Sequence, residues 1–436
     1  HIHSLNNTEN ITTMAPPEVW DTDMLMGKTG PAQGKGGAEA ATTDRTLWGI
    51  PGYLTAEEAE TFEKFKAEIE KRGEEFRDTI YSFTEEEGEC WALCRWLRAR
   101  KFVYEDVIKM IEEATVCRAD AKKDGFYPDP SGALGCDMAL YFAQFPQLYS
   151  GVAKNGAPLF ISKPGVLNTD AVECITTLDG ILKLHWYIMI HDFGDRLRAQ
   201  KKLKDDFKSF ECVCVLDLAK LSTSQLSSRT LSIIKEQSAI DSLCFPETMS
   251  KMVIVNAPMF FSATWGIIKG WLDPRTANKV SVLSSRTSWE KKLKELVDVD
   301  QLPSDYGGTG PNTIETLDAS SPGDMKRLKT EVLYLRGSGS VKADIADGES
   351  VEIAVWTRSN AGATFSVTDQ NQNKFKPAWV SGVVVKHVGN PDTSEKPTET
   401  KLTKERIRGP AKLKIKADSL GGRFTSYNFL VSLSIY

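Results

Sequence analysis

The chain has 436 residues, 41% of them hydrophobic and 26% charged. These are the proportions of a folded globular protein, and they exclude a largely disordered or fibrous chain. At roughly 150 residues per domain the length predicts two or three domains. With 54 Lys and Arg against 59 Asp and Glu, the net charge of −5 argues against a generic nucleic-acid-binding protein.

Charge is distributed unevenly along the chain. Residues 322–436 carry 18 Lys and Arg against 12 Asp and Glu, a net +6 that leaves −11 for the rest. The largest basic cluster lies within residues 386–416, with nine Lys and Arg against four acids. This asymmetry predicts that the basic end can contact an anionic membrane surface, although the total charge does not suggest it.

The eight cysteines all lie between positions 90 and 244. A chain this long can bury a core without disulfides, so we expect reduced thiols in the core. No CxxC pair accompanies them, and no metal site is expected. With no apolar run near the roughly 18 residues that span a bilayer and no signal-peptide pattern, the sequence predicts a cytoplasmic protein.

The amino-terminal part predicts a polar arm followed by helices. Residues 1–46 are rich in Gly, Thr and Ala and predict disorder, with an added leader ahead of Met14. Capping-box patterns at Thr55 and at Thr84 predict two helix starts. A further helix is expected from Tyr104 to about Lys122. Residues 47–125 therefore form a predicted helical region.

Residues 126–311 predict an α/β domain. Short, nearly continuous apolar runs are typical of strands buried on both faces, and helical stretches lie between them, so the sheet should be mainly parallel. The predicted strands are Pro158–Ile161, Phe210–Leu218 and Lys251–Val255, and the predicted helices are Val172–His191, Ser227–Ala239, Ala263–Trp271 and Trp289–Leu296.

Residues 325–436 predict an antiparallel β-sandwich. Alternating apolar and polar residues recur there between turn residues. The segments are EVLYLRG, SVEIAVWTR, WVSGVVVKHV, AKLKIKAD and YNFLVSLSIY. The predicted fold class is thus α/β, with a helical region before the sheet and an antiparallel β-sandwich after it.

Four segments occur in an order and spacing that resemble the CRAL-TRIO lipid-binding family, above all its fungal phosphatidylinositol transfer proteins. They are CRWLRARKF at 94–102, FPETMSKMVIVNAP at 245–258, WLDPRTANKV at 271–280 and LPSDYGG at 302–308. The similarity covers roughly residues 85–310. The sandwich resembles a GOLD domain, which several animal and plant members of the family carry. The resemblance implies a protein that encloses one lipid and exchanges it at membranes.

The resemblance also implies a set of residues around the lipid headgroup. A phosphodiester is best bound by Lys and Arg, and these cations need a carboxylate partner when no phosphate is present. Residues at matching positions contact the phosphate and inositol in the family: Arg100, Lys101, Glu236, Thr276 and Lys279. On their own, these side chains would instead be solvated surface charges and hydroxyls.

The segment FFSATWGIIKGWLDP resembles the family's gate helix. We expect its apolar side chains to form a lid over the pocket that opens at a membrane, whereas the alternative is an ordinary core helix. The residues are Phe260, Phe261, Trp265, Ile267, Ile268 and Trp271. In the family's choline-lipid site Tyr149 matches one tyrosine, but Phe160 replaces the other and cannot hydrogen-bond a phosphate.

The sequence therefore predicts a non-enzymatic lipid transfer protein with no cofactor beyond its bound lipid. Phosphatidylinositol is the favoured lipid, and presentation of it for phosphoinositide signalling or membrane trafficking is the expected role. The expected partners are a phospholipid, a membrane surface and a protein bound by the GOLD-like domain. Two alternatives remain: a carrier of a neutral hydrophobe such as a tocopherol, retinoid or squalene, and a scaffold whose pocket is vestigial. No GxSxG, HExxH or P-loop pattern points to catalysis.

Overall fold

The computed structural model describes most of the chain, in stretches that fall into two compact units. The described residues are 19–204, 210–272, 274–321, 323–358, 362–369, 382–386, 397–421 and 427–436. Within them, the first unit takes its residues from His1–Ala119, Gly194–Phe210 and Ile240–Thr248, and the second from Asp120–Phe193, Glu211–Ala239 and Met249–Tyr436.

The described helices are concentrated before residue 320. They are α1 (Thr22–Leu25), α2 (Gly37–Thr43), α3 (Ala56–Ile69), α4 (Glu74–Tyr81), α5 (Thr84–Glu87), α6 (Glu89–Ala99), α7 (Tyr104–Lys123), α8 (Pro130–Leu134), α9 (Met138–Gln144), α10 (Thr169–Ile175), α11 (Leu178–Tyr187), α12 (Phe193–Leu203), α13 (Ser228–Cys244), α14 (Phe261–Lys269), α15 (Pro274–Asn278), α16 (Arg286–Leu296) and α17 (Thr313–Ala319). A π-helical turn, Ile188–Asp192, joins α11 to α12. None of the described helices is long and apolar enough to cross a bilayer.

The strands form three sheets. They are β1 (Gln147–Val152), β2 (Pro158–Ser162), β3 (Cys212–Asp217), β4 (Met249–Val255), β5 (Val280–Val282), β6 (Arg327–Leu335), β7 (Ser338–Ile345), β8 (Ser350–Thr357), β9 (Ala363–Asp369), β10 (Val383–Val385), β11 (Thr398–Lys401), β12 (Ile407–Arg408), β13 (Ala411–Ser419) and β14 (Tyr427–Ile435). The strand orders are β1-β2-β3-β4-β5, β10-β9-β13-β7 and β11-β8-β14-β6, with β12 beside β8.

The first unit confirms the predicted helical region. The capping box at the start of α3 is formed: the Glu58 amide donates to Thr55 Oγ1 at 3.1 Å, and the Thr55 amide donates to Glu58 Oε2 at 2.9 Å. The four apolar residues of α3 that were predicted to face inward, Ala59, Phe62, Phe65 and Ile69, are all buried. Helix α7 likewise buries its predicted apolar face.

The predicted disorder of residues 1–46 is wrong for the described part of that range, residues 19–46. This stretch contains α1 and α2, and Leu25 is fully buried. Two of its glycines lie where backbone segments come close together: a Cβ on Gly27, whose φ is +73°, would lie 2.3 Å from the Gly52 carbonyl oxygen, and a Cβ on Gly37 would lie 2.6 Å from the Met26 carbonyl oxygen. The composition suggested a flexible arm because glycine at such positions has the same sequence signature as glycine in a linker. The predicted leader lies outside the described residues.

The central sheet of the second unit is mainly parallel, as predicted. Strand β1 is antiparallel to β2, whereas the pairs β2–β3, β3–β4 and β4–β5 are parallel. One face of this sheet packs on α16 through a fully buried core that includes Val253, Val255, Trp289 and Leu293. The opposite face packs on α14 and carries the candidate site.

The predicted helix Val172–His191 is interrupted. Helix α10 ends at Ile175, and α11 begins at Leu178. Thr176 is extended, and Thr177 Oγ1 accepts a hydrogen bond from the Gly180 amide at 3.0 Å as the N-cap of α11. A threonine side chain that caps the next helix competes with continuation of the helix before it, and apolar periodicity alone does not reveal this break.

The carboxy-terminal residues form two antiparallel sheets around one hydrophobic core, as expected for a sandwich. Both sheets contribute fully buried side chains, among them Val351 and Phe429 from one and Phe365 and Ile415 from the other. The sequence prediction missed β7, β9, β11 and β12. Strands β7 and β9 alternate between buried and exposed or half-buried residues, but their inward residues include alanines, which give a weak hydrophobic signal.

The sheet β11-β8-β14-β6 packs against helices α9 and α10 of the same unit. Gln144 Nε2 donates to Thr330 Oγ1 at 2.9 Å, and the Tyr334 hydroxyl donates to Asp170 Oδ2 at 2.9 Å. The Arg358 guanidinium donates to the Thr176 carbonyl at 3.3 Å. The second unit therefore combines the central sheet with the sandwich.

The cysteines are free thiols, and most of them lie in the core. Six are buried, Cys212 is half-buried and Cys117 is exposed, so the core prediction is wrong for Cys117. The Sγ atoms of Cys212 and Cys214 lie 3.5 Å apart because alternate residues of β3 share a face.

We expect Cys117 to react first with a maleimide. The Cys244 thiol beside it lowers the pKa of Cys117, whereas burial raises the pKa of Cys136 and of Cys174 to about 12. The thiolate is the nucleophile, so the labelling rate of Cys117 should rise with pH and reach half its maximum at a lower pH than that of the buried cysteines. Peptide mapping after brief labelling measures this. The Cys117→Ser variant should lose the fast phase, and first labelling of another cysteine contradicts the expectation.

Candidate functional site

Helix α14 is apolar on both its inner and its outer side. Phe261 is buried against the sheet, and Trp265 and Ile268 are half-buried beside it. On the outer side, Ile267 is 55% exposed and Trp271, just after the helix, is 39% exposed. Before the helix, Phe260 is 38% and Met259 97% exposed. A helix with one apolar side on the core and another in solvent is poorly explained as an ordinary core helix, because exposed apolar area is costly.

The sheet face that carries α14 contains a row of side chains across all five strands. The pairing register places these residues side by side: Tyr149, Phe160, Cys214, Met252 and Val280. Phe160, Met252 and Val280 are only half-buried, although β2 and β4 are interior strands. Their neighbours on the opposite face, such as Val253, are fully buried. The two faces therefore differ: one is close-packed, and the other leaves apolar surface accessible.

A buried polar network holds the backbone just before α14. Asn256 adopts a left-handed conformation at φ +55°, and its Nδ2 donates to Asp217 Oδ1 at 2.8 Å. The Trp289 indole donates to Asn256 Oδ1 at 3.1 Å, and the Tyr306 hydroxyl donates to Asp217 Oδ2 at 2.9 Å. Burial, together with the Asp217 charge, raises the pKa of Tyr306, so this hydroxyl stays protonated as a donor. The network fixes the point from which α14 leaves the sheet.

Two of the predicted headgroup residues lie at the end of α6 in the first unit. Arg100 is the C-cap residue, half-buried, and its Nη1 donates to the Ala99 carbonyl at 3.2 Å. Lys101 is exposed and has a φ of +53°. Cations at a helix carboxyl terminus interact favourably with the helix dipole, so this position also suits them without a ligand.

The other three predicted headgroup residues belong to the second unit. Lys279 follows α15 and is half-buried, and its Nζ donates to the Met249 carbonyl at 2.8 Å, at the start of β4. Thr276 is half-buried on α15, and Glu236 is exposed on α13. Among the described contacts, none joins Glu236 to Lys279.

The tyrosine matched to the choline-lipid site lies at one end of the row. Tyr149 is buried, with its ring centroid 5.1 Å from that of Phe160 and stacked at 6.1 Å on Phe193. Phe160 thus packs beside Tyr149 and adds no hydroxyl to it. This end of the row is aromatic.

The arginines of CRWLRARKF have a role that the sequence analysis missed. Arg95 is 6% exposed and makes a bidentate ion pair with Glu87, which is 2% exposed, at 2.8 Å to 3.2 Å. Arg95 Nη1 also donates to the Pro246 carbonyl at 3.3 Å, and Arg98 pairs with Glu247 at 3.4 Å. Both arginines therefore tie α6 to the segment that contains FPET. The sequence could have indicated this role, because arginines alternate with buried apolar residues along α6.

The predicted capping box at Thr84 is wrong. Thr84 Oγ1 donates to the Tyr81 carbonyl at 3.0 Å, and α6 begins after Gly88 without a side-chain cap. The expected capping carboxylate, Glu87, is buried and bound to Arg95. An ion pair with a buried arginine overrides the local capping pattern because an unpaired buried charge would cost far more than a missing cap.

Known protein families match most of the helical region and most of the α/β domain. Residues 61–113 match the family described as CRAL/TRIO, N-terminal domain, and residues 143–308 match the CRAL/TRIO domain. Among the described residues, no group of His, Cys, Asp or Glu is arranged to hold a metal ion.

Several curated proteins are similar to this chain. The SEC14 cytosolic factor of Eremothecium gossypii is 31% identical over 265 residues, which is 60% of this chain and 80% of that protein. The phosphatidylinositol/phosphatidylcholine transfer protein SFH4 of Arabidopsis thaliana is 29% identical over 50% of this chain and 35% of its own length. The crystal structure of Sfh5 aligns with a TM-score of 0.44 at 16% identity, over 60% of this chain and 91% of that one. Given the two domain matches and the similarity over four fifths of the Eremothecium protein, this chain belongs to the CRAL-TRIO family.

Proposed function

We propose that this protein binds one phospholipid in an apolar pocket between the central sheet and α14 and exchanges it at membranes. The observation that carries the proposal is that Phe160 and Met252 are half-buried apolar residues on interior strands, next to a helix whose outer side is also apolar. A similar protein from Arabidopsis thaliana is named a phosphatidylinositol/phosphatidylcholine transfer protein. The similar proteins are named as transfer proteins and cytosolic factors, which supports a carrier and not an enzyme.

Acyl chains are well suited to such a site. Each buried CH₂ contributes about 0.8 kcal/mol, and the bilayer offers nearly the same gain, so the carrier and the membrane are close to balance. A lid must then keep water out in solution and open at the membrane. The exposed apolar residues Ile267 and Trp271 would enter the bilayer interface when α14 moves, and the network at Asn256 would act as the fixed end of that motion.

Headgroup recognition is proposed for Arg100, Lys101, Glu236, Thr276 and Lys279, with phosphatidylinositol as the favoured lipid. A lysine ammonium has three donors and binds a phosphate as a point charge, so the residue type at Lys279 suits this role. Glu236 is exposed and suits the hydroxyls of an inositol ring, which donate hydrogen bonds to a carboxylate. Tyr149 is proposed as a further lipid contact.

The sandwich is proposed to be a GOLD-like domain, and a protein partner bound there would direct the carrier to its membrane. We place the protein in the cytoplasm, peripheral on membranes, where it would present phosphatidylinositol for signalling or trafficking. The basic charge of residues 322–436 supports membrane contact by this part of the chain.

The variant Glu236→Gln tests the headgroup assignment. It should lower phosphatidylinositol transfer between vesicles about tenfold and leave phosphatidylcholine transfer unchanged, because only inositol offers hydroxyls to this carboxylate. The fold should persist, since Glu236 is exposed. The matched control is Glu315→Gln, an exposed glutamate on α17. Equal loss of both lipids, or no loss of either, rules out the assigned role of Glu236.

A further inference from the structure

The two outer faces of the sandwich are in different environments. The sheet β11-β8-β14-β6 packs against α9 and α10, with hydrogen bonds at Thr330, Tyr334 and Arg358. The sheet β10-β9-β13-β7 turns its buried side chains toward the shared core, and the alternate residues of β7 and β13 are exposed. The first face is therefore covered by helices of the same unit, whereas the second is available to a partner.

This second face carries four exposed lysines on two adjacent strands. Lys342 lies on β7, and Lys412, Lys414 and Lys416 lie on β13; we call these four residues the lysine face. The register places Lys342 directly opposite Lys414. On the other side of β13, Thr368 lies opposite Lys414 and Ser366 opposite Lys416, so hydroxyls continue the face onto β9.

The fold itself does not require this arrangement. Lysines on an edge strand can prevent edge-to-edge aggregation, but β13 lies between β7 and β9, so this explanation does not cover its three lysines. Like charges directly opposite each other destabilise a sheet. Lys416 pairs with Asp418 at 2.9 Å, but among the described residues Lys342, Lys412 and Lys414 make no ion pair. Asp344 on β7 lies directly opposite Lys412 and shares the face with Asp418, so the four lysines and two aspartates leave a net charge of +2.

We propose that the lysine face binds the anionic headgroups of a lipid bilayer. A sheet face with a net positive charge and neighbouring hydroxyls suits phosphates spread over a surface, because lysine binds as a point charge without fixed geometry. Beyond the lysines, Val384 lies opposite Thr364 and is 52% exposed, and Leu420 is 59% exposed. These two side chains can enter the bilayer interface. The choice of a bilayer over an acidic protein rests on the proposed lipid-exchange function.

Vesicle sedimentation of the full chain tests this surface. The double variant Lys342→Ala/Lys414→Ala should bind vesicles of phosphatidylcholine with phosphatidylserine about 30-fold more weakly than the unmodified protein, since each lysine near an anionic surface contributes about fivefold. Lys342→Arg/Lys414→Arg should retain binding. High salt should weaken binding of the unmodified protein, and vesicles of phosphatidylcholine alone should bind it poorly.

The matched control is Lys71→Ala/Lys109→Ala, which removes the same charge from lysines whose side chains are 72% and 75% exposed in the first unit. Equal loss in this control, or unchanged binding of Lys342→Ala/Lys414→Ala, overturns the proposal. The latter result would leave an acidic protein as the partner of this face.

Phospholipid extracted from the same preparations separates this proposal from the proposed function. Purified protein without phospholipid would contradict the carrier function, while lysine-dependent vesicle binding would still support the lysine face. Full phospholipid content with vesicle binding that does not depend on these lysines would contradict only the lysine face.

Discussion

Replacement of Arg95 by alanine is expected to lower the free energy of unfolding by about 3–5 kcal/mol. The substitution leaves Glu87, which is 2% exposed, as an uncompensated buried charge and removes the hydrogen bond to the Pro246 carbonyl. It also removes the guanidinium from the Phe210 ring, 4.2 Å from its centroid. Urea denaturation at neutral pH measures the loss.

A matched surface pair shows that the effect comes from burial. Arg286 pairs with Glu290 on α16, and its side chain is 67% exposed, so Arg286→Ala should cost no more than about 0.5 kcal/mol. The double variant Arg95→Met/Glu87→Leu should be more stable than Arg95→Ala because it removes both charges together. A loss below about 1 kcal/mol for Arg95→Ala would show that the ion pair does not hold α6 in place.

Replacement of Met252 by tryptophan is expected to abolish phospholipid binding without unfolding the protein. Met252 is half-buried between Cys214 and Val280 in the row, so the larger ring would occupy space that we assign to acyl chains. A close-packed core would instead resist the added volume, at a cost of about 1–3 kcal/mol. Native mass spectrometry reports lipid occupancy, and urea denaturation of lipid-free protein reports stability. Met252→Leu should keep the lipid.

The neighbouring residue provides the control on the same strand. Val253 points to the opposite face of β4 and is 1% exposed within the core under α16. Val253→Trp should therefore destabilise the protein by about 1–3 kcal/mol or more. If Met252→Trp is equally destabilising, or if it still carries phospholipid, the pocket does not lie on this face.

Much of the fold could be predicted because its elements have strong local patterns. Apolar runs of β-branched residues mark β3 and β4, and the capping box at Thr55 marks the start of α3. The family motifs are equally local, since each is a continuous segment. These features do not depend on distant contacts, and they are confirmed.

The missed features depend on particular contacts that compete with the local pattern, some of them between residues only three or eight positions apart. The break between α10 and α11 needs Thr177 as a cap, and the burial of Glu87 depends on Arg95 at the centre of α6. The order in residues 19–46 depends on the packing of Leu25 and on close backbone contact at Gly27. A single sequence shows the residue types but not which of them meet.

The candidate site was partly predictable for the same reason. The apolar character of α14 is visible in the sequence, but the difference between the two sheet faces appears only in the pairing register and the burial of neighbours such as Met252 and Val253. The headgroup assignments at Arg100, Lys101, Glu236, Thr276 and Lys279 stay predictions. The contact of Lys279 with Met249 could not be predicted, because it depends on where β4 begins.

Identification of the bound lipid decides whether this protein is a phospholipid carrier. Native mass spectrometry of the purified full chain, followed by release and fragmentation of the ligand, measures both stoichiometry and chemical class. We expect one diacyl phospholipid per chain, with phosphatidylinositol enriched over its share in the expression host. A bound neutral hydrophobe such as a tocopherol, retinoid or squalene, or a chain that stays empty after incubation with phospholipid vesicles, would contradict it.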